Sequence, residues 1–139
     1  MTQKLHSTAK LVKDLRIAVD DGRAHCVCLD LPPELGTDRG PSALELGVMS
    51  YAGCISQIFV LTAKKMRIPL KELEVEEEAV KSDETGTITE ASFNILVKAD
   101  ASEDRIQRIF KLTLENCPIG KLFEKAGVKT NYNLRTEKG

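Results

Sequence analysis

The segment from Ser42 to Arg67 constrains this chain more than any other. Its middle, LGVMSYAGCISQIFVLTA, is apolar or small on every face. Ser42 and Glu45 stand three residues apart at its start, the spacing of a capping box that satisfies two orphan backbone donors. Lys64, Lys65 and Arg67 crowd its far end, where cations favour the helix dipole, and Pro69 prevents continuation. The segment is therefore predicted to be one helix of roughly 38 Å. A helix apolar all round is buried all round. A chain of 139 residues has little material left to wrap it completely. We expect a second copy of the chain to help cover it.

The flanking regions read as strands and shorter helices. Ser7–Val12, Arg16–Val19 and Ala24–Leu31 are apolar runs, with Asp20-Asp21-Gly22 between the last two as a hairpin signal. Pro32-Pro33 ends the third run and PPELGTDRGP is a loop. Leu73–Val80 alternates Leu73, Val75, Glu77 and Ala79 against Glu74, Glu76 and Glu78, a half-exposed strand with an acidic outer face. Glu77 is the one carboxylate out of pattern. The turn SDETG leads to a partner strand, Thr87–Ala99. Ser102, Glu103 and Asp104 open a helix whose apolar face runs Ile106, Ile109, Phe110, Thr113 and Cys117. Pro118 starts a short final helix, Gly127 closes it, and Val128, Thr130, Tyr132 and Leu134 alternate as a last strand. The length suits a single domain over residues 1–139.

Composition removes whole function classes. The chain holds 20 Lys plus Arg against 21 Asp plus Glu and lacks Trp, so nothing drives nucleic-acid binding or attraction to an anionic membrane. The first residues, MTQKLHSTAK, have no apolar run, and strictly apolar stretches fall short of a membrane span, so a soluble, cytoplasmic protein is expected. In that compartment Cys26, Cys28, Cys54 and Cys117 are expected as free, catalytic or metal-bound residues rather than structural disulfides. No Cys-x-x-Cys occurs, and His6 and His25 offer no ligand spacing, so no metal site is expected.

Cys54 falls mid-helix. At ~100° per residue its side carries Gly47, Ser50, Tyr51, Gln57, Ile58 and Leu61, while Glu45, Ala52, Ser56, Phe59 and Ala63 point the other way. Ser50, Tyr51 and Gln57 make an unusually polar neighbourhood in an apolar helix. Cys26 and Cys28 share one strand face, a pairing that rarely makes a disulfide.

Gly40-Pro41-Ser42, Glu45-Leu46, Ala52-Gly53-Cys54 and Cys117-Pro118-Ile119, with the loop Pro33-Glu34-Leu35-Gly36, resemble the OsmC/Ohr family of thiol-dependent peroxidases acting on organic hydroperoxides. The element order agrees over nearly the whole chain. The resemblance implies an α+β fold in which two chains intertwine and antiparallel sheets wrap two long central helices. It also implies oxidative-stress defence, with Cys54 attacking the hydroperoxide and Cys117 closing a disulfide that a small dithiol of the dihydrolipoyl type reduces. It calls for no metal, flavin or other cofactor. The family activates its cysteine with an arginine held by a glutamate. A free thiol ionises near ~8.5, and a neighbouring cation lowers that. Here Ala43 and Leu44 stand where the family has proline and glutamate, and Glu45 matches the next position. Arg39 is the first candidate for the activating cation and Arg16 the second, with Lys13 near the same place as Arg16. Glu45, Ser50, Tyr51 and Gln57 are the supporting candidates. These departures mark a divergent OsmC-like branch. They leave open an alternative in which the cleft around Cys54 binds a small thiol or acyl-thioester with little peroxide turnover.

Overall fold

A computed structural model describes residues 2–139. Nine elements follow in order: β1 (Thr8–Lys13), β2 (Arg16–Asp20), β3 (Cys26–Leu29), α1 (Ala43–Lys65), β4 (Leu70–Ser82), β5 (Thr87–Ala99), α2 (Glu103–Asn116), α3 (Pro118–Lys125) and β6 (Lys129–Glu137). The architecture is α+β, with three helices and two three-stranded sheets. The chain divides into two compact units, Met1–Gly47 and Val48–Gly139.

The first unit is the antiparallel sheet β1-β2-β3 and the loop that leads into α1. Gly22 takes φ +79° in the hairpin turn, a conformation that Asp-Gly turns need. The loop is organised by one carboxylate. Asp30, 2% exposed, accepts hydrogen bonds from the Thr37 hydroxyl (2.6 Å) and from the amides of Leu31 (2.7 Å), Arg39 (3.1 Å) and Thr37 (3.4 Å). These bonds, with that from the Thr37 hydroxyl foremost, hold the Asp30 carboxyl well below the usual carboxylate range. At the end of the loop the capping box forms as expected. The Ser42 amide donates to Glu45 Oε1 (3.0 Å) and the Glu45 amide to Ser42 Oγ (3.1 Å).

The second unit places the rest of α1, with α2 and α3, beside the sheet β4-β5-β6. Here the structure corrects the expected sheet. β4 and β5 are antiparallel, but β6 lies parallel to β5, so the sheet is mixed. The α2–α3 segment between β5 and β6 is long enough to return the chain to the same end of the sheet, which a parallel pair requires. Arg105 Nη2 donates to the Met66 carbonyl (3.0 Å), tying α2 to the end of α1. Gly127, at φ +82°, ends α3.

The core stripe of α1 is Tyr51, Ile55, Phe59 and Ala63, packed with Phe93, Ile95, Val97, Ile106 and Ile109. The sequence places Phe59 and Ala63 opposite Cys54, whereas the stripe takes Tyr51 from the cysteine's side as well. An opposite stripe stays bare, with Met49 55%, Val60 37% and Leu61 48% exposed. By length and composition α1 is long and apolar enough to cross a membrane, which corrects the expectation that no stretch reaches that length. Gly, Ser and Gln interrupt the run without lowering its average enough.

Candidate active site: a thiol pair beneath an aromatic cluster

The sheet register builds the floor of the site. Glu77 on β4 pairs with Phe93 on β5, which pairs with Tyr132 on β6. Because side chains alternate along a strand, all three stand on the helix-facing side in one row. Tyr51 of α1 lies over this row. Its ring meets Phe93 edge-on with centroids 4.7 Å apart and lies 4.6 Å from Phe123, and its hydroxyl is 2.7 Å from that of Tyr132. Tyr132 also stacks on Phe93 at 5.1 Å and meets Phe110 at 5.8 Å. Both tyrosines and three of the four phenylalanines of the chain thus gather in one cluster. Burial, then the Tyr132 hydroxyl, pushes the Tyr51 phenol far above its ordinary range, so it stays protonated.

Cys117 is fixed by the junction of two helices. It is the residue after α2 and the N-cap of α3, with Pro118 in the first turn, where its missing N–H costs nothing. Its sulfur accepts the Gly120 amide at 3.3 Å. Cys117 is 1% exposed and lies close enough to Cys54, half-buried on α1, to be raised by it. Burial first, and Cys54 after it, push the Cys117 thiol up to about 11. All four cysteines are free. The site is therefore two adjacent thiols of unequal exposure, one reachable and one enclosed.

A pocket of about 320 Å³ opens beside Cys117, lined by Tyr51, Leu114, Gly120, Glu124, Thr130 and Tyr132. Gly120 is needed there. A Cβ at this position would lie 3.3 Å from Cys117 Sγ and 3.3 Å from Tyr51 Cε1. Gly120→Ala is expected to displace the Cys117 sulfur by a few tenths of an ångström and to slow disulfide formation with Cys54 several-fold. Stopped-flow oxidation followed by thiol counting checks this.

The remaining residues singled out in the sequence fall in different places. Glu45 is exposed and engaged in the helix cap. Ser50 and Gln57 are exposed, Gln57 on a shallow surface with Ser56, Val60, Leu61 and Lys64. Cys26 and Cys28 are exposed on β3. Arg39 and Arg16 belong to the first unit. The Arg39 side chain is exposed and only its amide is engaged, on Asp30. Arg16 is half-buried, and its Nε is buried without a partner among the described residues. Among the described residues, no three His, Cys, Asp or Glu side chains cluster as metal ligands.

Two residues of the site were not legible as such in the sequence. Tyr132 follows strand alternation and carries no motif. Glu77 was visible only as a carboxylate on the apolar side of an acidic strand. It is half-buried, and its Oε1 accepts the Ala52 amide at 3.2 Å. Burial raises its carboxyl to about 7, against a smaller opposing pull from the Ala52 amide. The fold thus favours the neutral carboxyl. Glu77 stabilises the fold fully below its unfolded value of about 4.5, and that contribution is lost as pH rises through about 7. Discounted for partial solvent access, the loss is about 1–2 kcal/mol. Glu77→Gln is expected to match wild type at pH 5 and to melt a few degrees higher at pH 8, at equal protein concentration.

Two free thiols, one half-buried and one enclosed, thus stand on a scaffold of helices and a mixed sheet. Residues 36–133 match the model of the OsmC-like protein family, and the chain belongs to that family. Its fold is also that of solved OsmC-like structures. An OsmC-like protein from Mycoplasma pneumoniae superimposes with a TM-score of 0.86 at 20% identity, covering 98% of this chain and 99% of that one. An organic hydroperoxide resistance protein OsmC from Legionella pneumophila gives 0.71 at 16% identity, covering 96% and 98%. The organic hydroperoxide resistance protein OhrB of Bacillus subtilis gives 0.63 at 21% identity, again covering 96% and 98%. Among curated proteins, none matches the chain by sequence.

Proposed function

We propose that this protein is a two-cysteine hydroperoxide reductase of oxidative-stress defence. The observation that carries the reading is the pair of free, mutually influencing thiols, Cys54 half-buried and Cys117 enclosed. The hydroperoxide resistance proteins that share the fold point to organic substrates. As a thiolate, Cys54 attacks the terminal peroxide oxygen. The O–O bond breaks, the departing alkoxide takes a proton to become an alcohol, and Cys54 becomes a sulfenic acid. The Cys117 sulfur then attacks the Cys54 sulfur. Hydroxide leaves and combines with the proton from Cys117 as water, and a disulfide forms. A dithiol of the dihydrolipoyl type reduces that disulfide by exchange. No step needs a metal or cofactor.

The order of the two cysteines follows from their exposure. A substrate reaches the half-buried thiol first, and a thiol held protonated by burial is a poor first nucleophile, left to the later step where proximity offsets that handicap. Arg39 and Arg16 are the candidates for an activating cation, and the Arg16 Nε is buried without a partner among the described residues. We further propose a homodimer in which the whole chain works as one OsmC-like domain in the cytoplasm. Met49, Val60 and Leu61 on α1 and Leu11, Val12 and Val27 on the first sheet are exposed, and a second copy would cover such surfaces.

The pocket beside Cys117 supports a second reading, in which the site binds a small thiol or acyl-thioester and turns over peroxide slowly. Leu44, where the family has its glutamate, favours it. Consumption of cumene hydroperoxide with dihydrolipoamide, against hydrogen peroxide, separates the two. Rapid turnover with preference for the organic peroxide supports the reductase. Saturable ligand binding with no turnover of either peroxide replaces it with the binder.

A further inference from the structure

Glu77 is the one carboxylate that the sheet turns toward the helices of the second unit. Glu74, Glu76 and Glu78, its neighbours on β4, stand exposed on the other face. One of its oxygens takes a hydrogen bond from the amide of Ala52, two residues before Cys54 on α1. The other oxygen, Oε2, is buried with no partner among the described residues. The titratable side chains in or against the core of this unit are Tyr51 and Cys54 on α1, Cys117 between α2 and α3, and Tyr132 on β6. None of these is a cation. Tyr51 feels the charges of both Glu77 and Cys117, so the carboxylate and the thiol both lie within electrostatic reach of one phenol.

Two consequences follow from electrostatics. A carboxylate accepting a main-chain amide of α1 fixes the turn that carries Cys54. A desolvated site also holds one negative charge far more easily than two, so an anion on Glu77 opposes an anion on a sulfur near it. We propose that Glu77 is a positioning residue of the thiol pair, clamping the Cys54 turn through the Ala52 amide and competing with the sulfurs for the one buried negative charge. This rests on the thiol pair being the functional site, as in the reductase reading, but not on peroxide chemistry. The raised affinity of Glu77 for a proton puts the competition near neutral pH. Below that range Glu77 is neutral and leaves the charge to a sulfur. Above it Glu77 is charged and opposes a second negative charge beside it.

The test is alkylation by iodoacetamide, a neutral reagent, read at Cys54 by peptide mass spectrometry from pH 5.5 to 8.5 in wild type and Glu77→Gln. Gln keeps an acceptor for the Ala52 amide and removes the charge. The two proteins should react alike at pH 5.5. The variant should become about three- to tenfold faster by pH 8.5, because a like charge has gone. A rate ratio that stays constant across the range overturns the proposal. Should the variant not fold, carboxyl NMR titration of wild-type Glu77 decides. A midpoint near neutrality supports the proposal and an ordinary glutamate midpoint sinks it. No peroxide enters either experiment, so a protein that fails to turn over peroxide leaves this result standing, and the reverse.

Discussion

Cys117→Ser is expected to retain its first reaction with peroxide and lose steady-state turnover. The enclosed thiol next to Cys54 makes resolution intramolecular, and a serine hydroxyl cannot attack a sulfenic sulfur. An external dithiol must then do the same step from solution, which lowers turnover by roughly two orders of magnitude or more. One equivalent of peroxide should still be consumed, and Cys54 should appear as sulfenic or more highly oxidised sulfur. Cys54→Ser should abolish even the first equivalent. Full turnover in Cys117→Ser would remove Cys117 from the mechanism.

The second large effect concerns assembly. Val60 and Leu61 lie on the bare stripe of α1, and the fold offers no other element of the second unit to cover them. Wild type should sediment at micromolar concentration as a species of about 30 kDa, twice the chain mass of 15.3 kDa. Val60→Asp with Leu61→Asp removes two large apolar side chains from that face of each chain; for the exposed parts, 37% and 48%, that is about 1–3 kcal/mol per protomer of lost burial. Charges enter in their place. Sedimentation should shift to about 15 kDa or the protein should aggregate. An unchanged 30 kDa species would place the dimer contact elsewhere. A wild type that is a stable, folded monomer would refute the packing argument.

The parts of the fold that sequence disclosed are those with strong local chemistry. The Ser42–Glu45 box, the Asp-Gly turn, Pro118 and Gly127 each mark an end that the structure places within a residue or two. The direction of β6 was not legible, since alternation at Val128, Thr130, Tyr132 and Leu134 is the same for parallel and antiparallel pairing. The buried stripe of α1 was also hidden. A helix apolar on every side has no polar face to show which way it turns, and the stripe that packs takes Tyr51 from the cysteine's side together with Phe59 and Ala63 from the other. The site was half visible. Cys54 and Cys117 stand in motifs, whereas Tyr132 and Glu77 come into one row only through the register Glu77–Phe93–Tyr132, which links strands far apart in sequence. Glu45 shows the converse. It matches a family position, and the structure engages it in capping the helix.

The central claim is that Cys54 and Cys117 form a redox pair, and peptide mapping after a single equivalent of cumene hydroperoxide tests it most directly. The protein is oxidised, remaining thiols are blocked with an alkylating reagent, and the digest is read by mass spectrometry without reduction. The account predicts one new cross-linked peptide pair joining Cys54 to Cys117, with Cys26 and Cys28 both alkylated. A Cys26–Cys28 product, or oxidant consumed while Cys54 and Cys117 both remain alkylatable, would contradict it.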